Sequence, residues 1–358
     1  MSMKERDVCL DFLRGVAAVS VVFIHTVFWS GGSYVPEIFR TLALLLDVPF
    51  FIFLSGWAAS FSSRPHRIFD NLLKIWARWA VFVLLADGFS SLFWKDSLTP
   101  LAVLNQLFFN VGESIPHLPV INGSLWFMPM YVVVSILGMA FIFLSRRFNL
   151  GGKIAARFVI FLLVGLSYLS LGWAGQWFSL SRQVCFYLPL FIIGYHAKKI
   201  KVTFPKYIVS IFALVAFWFI LSRTYGIPAK NLQNAKFPPH IMYFSASLLS
   251  VITAIFLRDA LDWQKMTIQE YANTGGVRFV CLIGENALCF YFAQGVGSSL
   301  IFLLVPLAKN YGWKVILALS FVTNLAITLT IGFSLVFIFR ILRICLAHLK
   351  ERFCRECV

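Results

Sequence analysis

The sequence predicts an all-α fold, a polytopic bundle of about ten transmembrane helices with both termini on the cytoplasmic side. The composition supports this class, because 60% of the residues are hydrophobic and only 13% are charged. Apolar runs of about twenty residues, the length at which a helix crosses the hydrocarbon core, recur along the whole chain. Soluble domains do not combine such runs with so few charges. The predicted spans cover residues 8–29, 38–61, 72–94, 124–145, 154–173, 183–199, 206–222, 240–257, 279–305 and 314–340.

The first of these runs is expected to remain in the protein as a membrane span. It contains Arg14 and His25, and no small-residue cleavage site follows it, so it does not resemble a secretory signal peptide. Segment 101–111 is too short to cross and is predicted to lie at the interface or to re-enter the membrane. No repeat and no Gly/Ser-rich or Pro-rich linker divides the chain. We therefore expect a single transmembrane domain over residues 1–358, without an appended soluble domain.

The distribution of Lys and Arg sets the predicted orientation. Counted along these spans, 23 of the 31 Lys and Arg residues fall on one side of the membrane and eight on the other. Cytoplasmic loops carry the excess of positive charge, so the richer side, which includes both termini, is expected to be cytoplasmic. The net charge of +16 then reflects topology and contact with anionic lipids. A nucleic-acid partner is not expected, because aromatic residues do not alternate with the basic ones as a base-stacking groove requires.

The seven cysteines predict neither disulfides nor a metal site. They fall in the predicted spans or in the cytoplasmic tail, where thiols stay reduced. Cys354 and Cys357 form a single Cys-x-x-Cys without a second pair, so reduced tail thiols are favoured over a metal or redox site.

Two side chains in the first span, Arg14 and His25, are costly to place in hydrocarbon. Eleven residues at about 100° each return to within roughly 20° of the starting direction, so both side chains share one helix face, about 16 Å apart along the axis. Each has an ordinary explanation by itself, since an arginine near a helix end snorkels and a lone buried histidine is usually structural. Together they indicate a site for a long anionic ligand whose reactive end enters the bilayer.

A group of cations lies beside the inner end of the first span in this topology. It comprises Arg64, Arg67, Lys74 and Arg78, at the inner ends of the second and third spans. Guanidinium and ammonium groups bind phosphates, so this cluster predicts a cytosolic donor that carries several phosphates. Its thioester arm would run up the bundle toward His25.

Segment 223–239 is predicted to lie on the outer side of the membrane. It is polar and Asn-rich, and it fits a glycan-binding segment and a plain loop equally well.

Several segments resemble, in the expected order, those of acyltransferase family three, the integral membrane O-acyltransferases of bacterial surface polysaccharides. Leu10-Asp11-Phe12-Leu13-Arg14-Gly15 followed by His25 is similar to the family's signature of Arg, ten residues and His. Pro49-Phe50-Phe51-Ile52-Phe53-Leu54-Ser55-Gly56-Trp57 is similar to its Phe-Phe-x-x-Ser-Gly-aromatic segment. The later landmarks are the basic run 64–78, Leu125-Trp126-Phe127-Met128, the Phe-x-x-Gly of 191–194, and Phe237-Pro238-Pro239. The resemblance covers nearly the whole chain.

The resemblance implies acyl transfer from a cytosolic acyl-coenzyme A, most often acetyl-coenzyme A, to a sugar hydroxyl. The acceptor would be a cell-surface polysaccharide, such as an O-antigen or exopolysaccharide, or its lipid-linked precursor. The protein would lie in the bacterial cytoplasmic membrane. Acyl-coenzyme A would be a donor substrate and not a permanently bound cofactor. On this reading His25 is the general base, a role that suits an imidazole. The donor would be held by Arg14, Arg67, Lys74 and Arg78.

A histidine base also needs a partner that fixes its tautomer. Asp47 and Asp87 are the carboxylates at comparable depth, and Asp47, just before the Phe-Phe segment, is favoured. Either carboxylate could instead cap a broken helix or pair with a hydroxyl. Trp126, at the outer interface, is a candidate for stacking on a sugar, although membership of the aromatic belt is the simpler explanation.

One segment departs from the family pattern. The run Gly284 to Gln294 resembles a late motif that commonly ends in His, and this chain has Gln294 there. An amide can orient a hydroxyl but cannot act as a base near neutrality, so His25 is left to carry the proton transfer. Gln294 is then a candidate substrate-binding residue.

The alternative hypothesis is a transporter or flippase for a lipid-linked glycan. Such a protein would also bury charges in a bundle, but paired repeats with broken spans at corresponding positions are expected of it, and the sequence shows none. Dependence on coenzyme A distinguishes the two hypotheses.

Overall fold

The computed structural model describes residues 7–61, 67–95, 98–108, 114–170, 179–261, 275–309 and 311–356, and within them every regular element is helical. The α-helices are α1 (Val8–His25), α2 (Glu37–Ala43), α3 (Val48–Ala59), α4 (Arg67–Trp94), α5 (Pro100–Leu107), α6 (Pro119–Leu125), α7 (Phe127–Arg147), α8 (Gly152–Ser170), α9 (Ser179–His196), α10 (Phe204–Tyr225), α11 (Ile241–Leu261), α12 (Gly275–Glu285), α13 (Ala287–Leu300) and α14 (Trp313–Glu356). The predicted all-α class is confirmed.

Eight helical segments are long and apolar enough to cross a membrane, so the chain is built as a multi-pass membrane protein. They are Val8–Ser33, Glu37–Ala59, Pro119–Arg147, Gly152–Ser170, Phe204–Tyr225, Ile241–Ala260, Ala287–Pro306 and Trp313–Cys345. Predicted spans 72–94 and 183–199 correspond to α4 and α9, which form helices but are not among the eight. Both carry charged residues inside the predicted apolar run or beside it. The structure thus supports eight of the ten predicted spans, and the other two stay predictions.

Helix α1 is continuous from Arg14 to His25, as the predicted spacing requires. The side chain of Asp7 begins it by accepting a hydrogen bond from the Leu10 amide at 3.0 Å, which satisfies one of the free N–H groups of the first turn. Directly after His25 the backbone widens into a π-helical turn over Thr26–Ser30. Such turns are rare and occur frequently at functional sites.

Glycines hold two pairs of helices in backbone contact. A Cβ added at Gly15 of α1 would clash with the carbonyl of Val280, and one added at Gly284 of α12 with the carbonyl of Asp11. The α3–α9 crossing has the same reciprocal arrangement, with Gly56 against Phe191 and Gly194 against Phe53. In a bilayer, helices associate through close packing of this kind, because lipid tails remove the hydrophobic drive for association. These crossings fix α1 and α3, the helices that carry the predicted site.

The short apolar segment 101–111 contains α5, which is too short to cross the membrane, as predicted. Trp76 and Trp79 of α4 donate indole N–H bonds to the carbonyls of Leu107 and Gln106, at 2.9 and 2.8 Å. Helix α5 is therefore fastened along α4. The remainder of the segment, from residue 109, lies outside the described ranges, as do residues 262–274 of the long polar connection.

We expect Gly194→Ala to destabilise the fold by about 1–3 kcal/mol, because the added methyl meets backbone that cannot move away cheaply. Gly88→Ala is the matched control, since a Cβ at this helical position meets nothing within 4 Å. Thermal unfolding of the two purified variants in detergent measures the difference. Equal stability of the two variants would contradict the close crossing of α3 and α9.

Candidate active site

A cavity of about 430 Å³ opens among α1, α3, α4, α7 and the α12–α13 junction. Its lining includes Arg14 together with Lys74 and Arg78, two members of the predicted cationic group. The structure therefore brings these three together. The side chain of Arg67, at the start of α4, and the whole of Arg64 lie outside the described residues.

The lining has an excess of positive charge. Among its described side chains, these three cations stand against one carboxylate, that of Glu285. Arg14 keeps 31% of its side chain exposed and lies 3.8 Å from the Asp11 carboxylate, one helical turn earlier. The guanidinium of Arg78 lies 5.8 Å from the ring centroid of Phe339. A cavity of this charge favours an anionic ligand, and guanidinium groups bind phosphates as well as carboxylates through charge-assisted, often bidentate hydrogen bonds.

Most of the remaining wall is apolar and aromatic. Phe51, Phe127, Phe191 and Tyr291 contribute rings to it, and Phe127 packs edge-on against Tyr291 at 4.9 Å. The hydroxyl of Tyr291 donates to the carbonyl of Ser124. A ligand that fills this cavity would place anionic groups against the cations and a neutral part against the rings.

His25 is the last residue of α1, and it does not line this cavity. Helical geometry places it about 16 Å from Arg14 along the axis, on the same face. Its side chain is half-buried, and its Nδ1 is a buried atom without a hydrogen-bond partner in the described part of the chain. The imidazole interacts with the side-chain amide of Gln294, and the charges that act on it are those of Lys236 and Asp47.

Asp47 is buried beside His25, but its direct partners differ from the predicted one. It occupies the N-cap position of α3 and forms an ion pair with Lys236, with 2.6 Å between Nζ and Oδ2. The hydroxyl of Tyr243 donates to the same carboxylate oxygen at 2.7 Å. No hydrogen bond joins Asp47 to His25 within the described residues. Asp47 is therefore the partner of a lysine and a hydroxyl, and does not orient the imidazole directly.

Asp87, the second carboxylate considered for that role, serves the backbone instead. It accepts a hydrogen bond from the amide of Leu98 at 2.8 Å and so fastens the segment that leads into α5. The N-cap of α5 is Thr99, so this contact differs from both the capping role and the hydroxyl pair that the sequence left open.

Lys236 is the residue that sequence reasoning missed. It follows the short 3-10 helix Leu232–Ala235 in the segment between α10 and α11, yet only 8% of its side chain is exposed. The centroids of the Trp126 and Phe237 rings lie 5.4 and 5.1 Å from its Nζ. A single lysine in a polar segment gives no signal of burial, and only its position directly before Phe237-Pro238-Pro239 set it apart.

Gln294 belongs to a buried hydrogen-bond network that joins three helices. Ser298 donates to its Oε1 at 3.3 Å, and the Nδ2 of Asn324 donates to Ser298 Oγ at 3.0 Å. The same Nδ2 donates to Thr26 Oγ1 at 3.0 Å, so the network ends on the residue that follows His25. Helices α13 and α14 thus hold the π-helical turn and the amide that faces the imidazole.

Trp126 lies at the break between α6 and α7, beside this polar group. Its ring packs edge-on against Phe237 at 4.7 Å and faces Lys236. The structure therefore brings Trp126, Lys236, Asp47, His25 and Gln294 into one region, which we call the polar centre. Among the residues that the structure describes, no three His, Cys, Asp or Glu side chains are grouped as metal ligands.

Comparison with known protein families identifies one match, and it covers nearly the whole chain. The model of the acyltransferase domain of acyltransferase family 3 matches residues 7–341. The comparisons with curated proteins and with solved structures found no match. The family match spans the cavity, α1 and the polar centre together. The chain belongs to acyltransferase family 3.

Proposed function

We propose that this member of acyltransferase family 3 is an O-acyltransferase that moves an acyl group, in the simplest case acetyl, from cytosolic acyl-coenzyme A to a sugar hydroxyl. The acceptor is a cell-surface polysaccharide or its lipid-linked precursor, and the membrane is the bacterial cytoplasmic membrane. One observation carries the proposal. Helix α1 presents Arg14 to a cationic cavity and, on the same face, ends at His25 in the polar centre.

The cavity suits the donor because coenzyme A combines phosphates with a long neutral arm. Arg14, Lys74 and Arg78 would hold the phosphates, and Arg67 would add to them from the start of α4. The pantetheine arm would follow the apolar wall past Phe51 and Tyr291. This arm bridges the axial distance between the cations and His25, which a compact donor could not do.

The acceptor side is assigned to the opposite end of the bundle. Trp126 and Phe237 form an aromatic pair next to Lys236, and aromatic faces stack on sugar rings. Gln294 offers an amide that hydrogen-bonds a hydroxyl. An acceptor sugar at this position would present its hydroxyl to His25 from the side away from the donor.

The proposed reaction needs one base and no bound cofactor. His25 accepts the proton of the acceptor hydroxyl through a ring nitrogen, and the hydroxyl oxygen attacks the thioester carbonyl. The carbon–oxygen bond forms, the carbon–sulfur bond breaks, and the coenzyme A thiolate takes the proton from the imidazolium. Gln294 and the network behind it hold the ring in place during this exchange.

Replacing the base tests the reaction directly. We expect His25→Gln to lower acyl transfer by about 10²–10⁴-fold, because the amide cannot accept the hydroxyl proton. The measurement is incorporation of label from radiolabelled acetyl-coenzyme A into membrane glycan, with variants matched for abundance. His348→Gln, which replaces an exposed histidine on α14, is the control and is expected to retain wild-type transfer. Equal incorporation by His25→Gln and wild type would make His25 a structural residue.

Replacing the cations tests the donor site independently of turnover. We expect Arg14→Gln and Arg78→Gln each to weaken coenzyme A binding about tenfold or more, since each removes a charge-assisted contact to phosphate. Higher ionic strength is expected to weaken wild-type binding in the same direction. Equilibrium binding of labelled coenzyme A to purified protein measures both effects.

The control for these cation variants is Arg147→Gln, which removes an exposed arginine at the end of α7 and outside the cavity. It is expected to bind coenzyme A as wild type does, and so is His25→Gln. Unchanged binding by both cavity variants would mean that the donor sits elsewhere. Absence of coenzyme A binding by wild type would favour the transporter hypothesis.

A further inference from the structure

The Asp47–Lys236 ion pair costs desolvation free energy, and none of the reaction steps proposed above uses it. Each side chain is more than nine-tenths buried, and moving a carboxylate and an ammonium out of water costs several kcal/mol per ion, even after relaxation. Buried pairs of this kind contribute little net stability, and apolar residues of similar volume often replace them without loss. A buried charge inside a membrane bundle therefore points to function.

The ammonium of Lys236 has unused hydrogen-bonding capacity. It carries three N–H donors, and Asp47 is its one acceptor in the described part of the chain. It also makes cation–π contacts with the rings of Trp126 and Phe237, which attract its charge but offer no oxygen or nitrogen acceptor. Two donors are thus free to bind an oxygen atom that enters the polar centre.

Asp47 and Tyr243 hold this ammonium in position. The carboxylate of Asp47 accepts from both side chains, and it is fixed at the first turn of α3, the helix locked against α9 by Gly56 and Gly194. The charge of Lys236 also acts on His25, so the two side chains share one environment. A fixed cation whose charge reaches the base can also stabilise negative charge as it develops in acyl transfer.

We propose that Lys236 is a catalytic residue that donates a hydrogen bond to the acyl carbonyl oxygen as this oxygen becomes an oxyanion. The inference rests on the proposed acyl transfer and adds a second participating group to it. When the acceptor oxygen bonds to the thioester carbon, the carbonyl electron pair moves to oxygen and is held by Lys236. When the carbon–sulfur bond breaks, the pair returns and the carbonyl is restored in the ester product. Asp47 is a positioning residue, since it acts through Lys236.

The competing explanation is purely structural, in which the pair anchors the segment between α10 and α11 to α3. The double variant Asp47→Asn/Lys236→Met separates the two explanations. It removes both charges at once and leaves no uncompensated ion, so the fold is expected to survive where a single replacement could unfold it. A structural anchor needs only a stable fold, whereas an oxyanion donor needs the ammonium itself.

The experiment compares steady-state acyl transfer by wild type, Asp47→Asn/Lys236→Met, Lys236→Met and Lys236→Arg in membranes. Lys230→Met is the matched control, because Lys230 forms an exposed ion pair with Glu37 at 3.6 Å in the same outer segment. Labelled coenzyme A binding, which uses the separate cationic cavity, reports an intact fold for each variant.

We expect the double variant to bind coenzyme A as wild type does and to lose about 10²–10³-fold in kcat, with KM for acyl-coenzyme A little changed. Lys236→Arg is expected to recover part of kcat, since it restores a charged donor, and Lys230→Met to match wild type. A double variant with near wild-type kcat would overturn the catalytic role of Lys236. If wild type itself transfers no label from acetyl-coenzyme A to the glycan, the proposed function fails, and the inference falls with it.

Discussion

The structure of the site depends on one constraint, that polar groups inside a membrane bundle must find partners within the protein. Water is absent from the hydrocarbon core, so an unpaired polar group there is costly. Asp47 meets this requirement with Lys236 and Tyr243, and Asn324 meets it with Ser298 and Thr26. These two sets of contacts approach His25 from different helices. The imidazole interacts with the Gln294 amide and with the charges of the ion pair, and its Nδ1 has no hydrogen-bond partner among the described residues.

The same constraint explains why the cationic cavity and the polar centre lie at different positions along one helix. The phosphates of the proposed donor, coenzyme A, would need cations that stay hydrated, and Arg14, Lys74 and Arg78 lie at an open cavity. The transfer step benefits from a dry environment, where fixed charges act most strongly. Helix α1 connects the two, and Gly15 holds it against α12 by backbone contact. A shift of α1 along that contact would move Arg14 and His25 together.

Sequence periodicity predicted the parts of this arrangement that lie on regular helices. The common face of Arg14 and His25 follows from 3.6 residues per turn, and the meeting of Lys74 and Arg78 with Arg14 followed from the membrane topology of the first three spans. The glycines of the family-like motifs, Gly15 and Gly56 among them, also have a plain physical reason, since they allow the helices to touch. Local patterns of this kind are encoded within a few turns of helix.

Contacts that depend on how an irregular segment folds back onto the helices could not be predicted from the sequence. Lys236 lies in such a segment, and nothing in its neighbours indicates that it is buried against α3. The direct contacts of Asp47 with Lys236 and Tyr243 could not be predicted for the same reason, and its role as the partner of His25 stays a prediction. Asn324 was missed since an asparagine in a long apolar helix gives no indication of which neighbour it meets. Tertiary packing decides which side chains these polar groups meet, and a single sequence does not indicate which residues will be in contact.

In the proposed function, acyl transfer runs through the bundle, from a donor cavity on the face of Arg14 to an acceptor on the opposite face. Sealed membrane vesicles of both orientations test it, with an epitope at the carboxyl terminus that reports which face is outside. We expect radiolabelled acetyl-coenzyme A, which does not cross the membrane, to label the glycan only when it is supplied on the face that carries the epitope. Labelling only from the other face would contradict it.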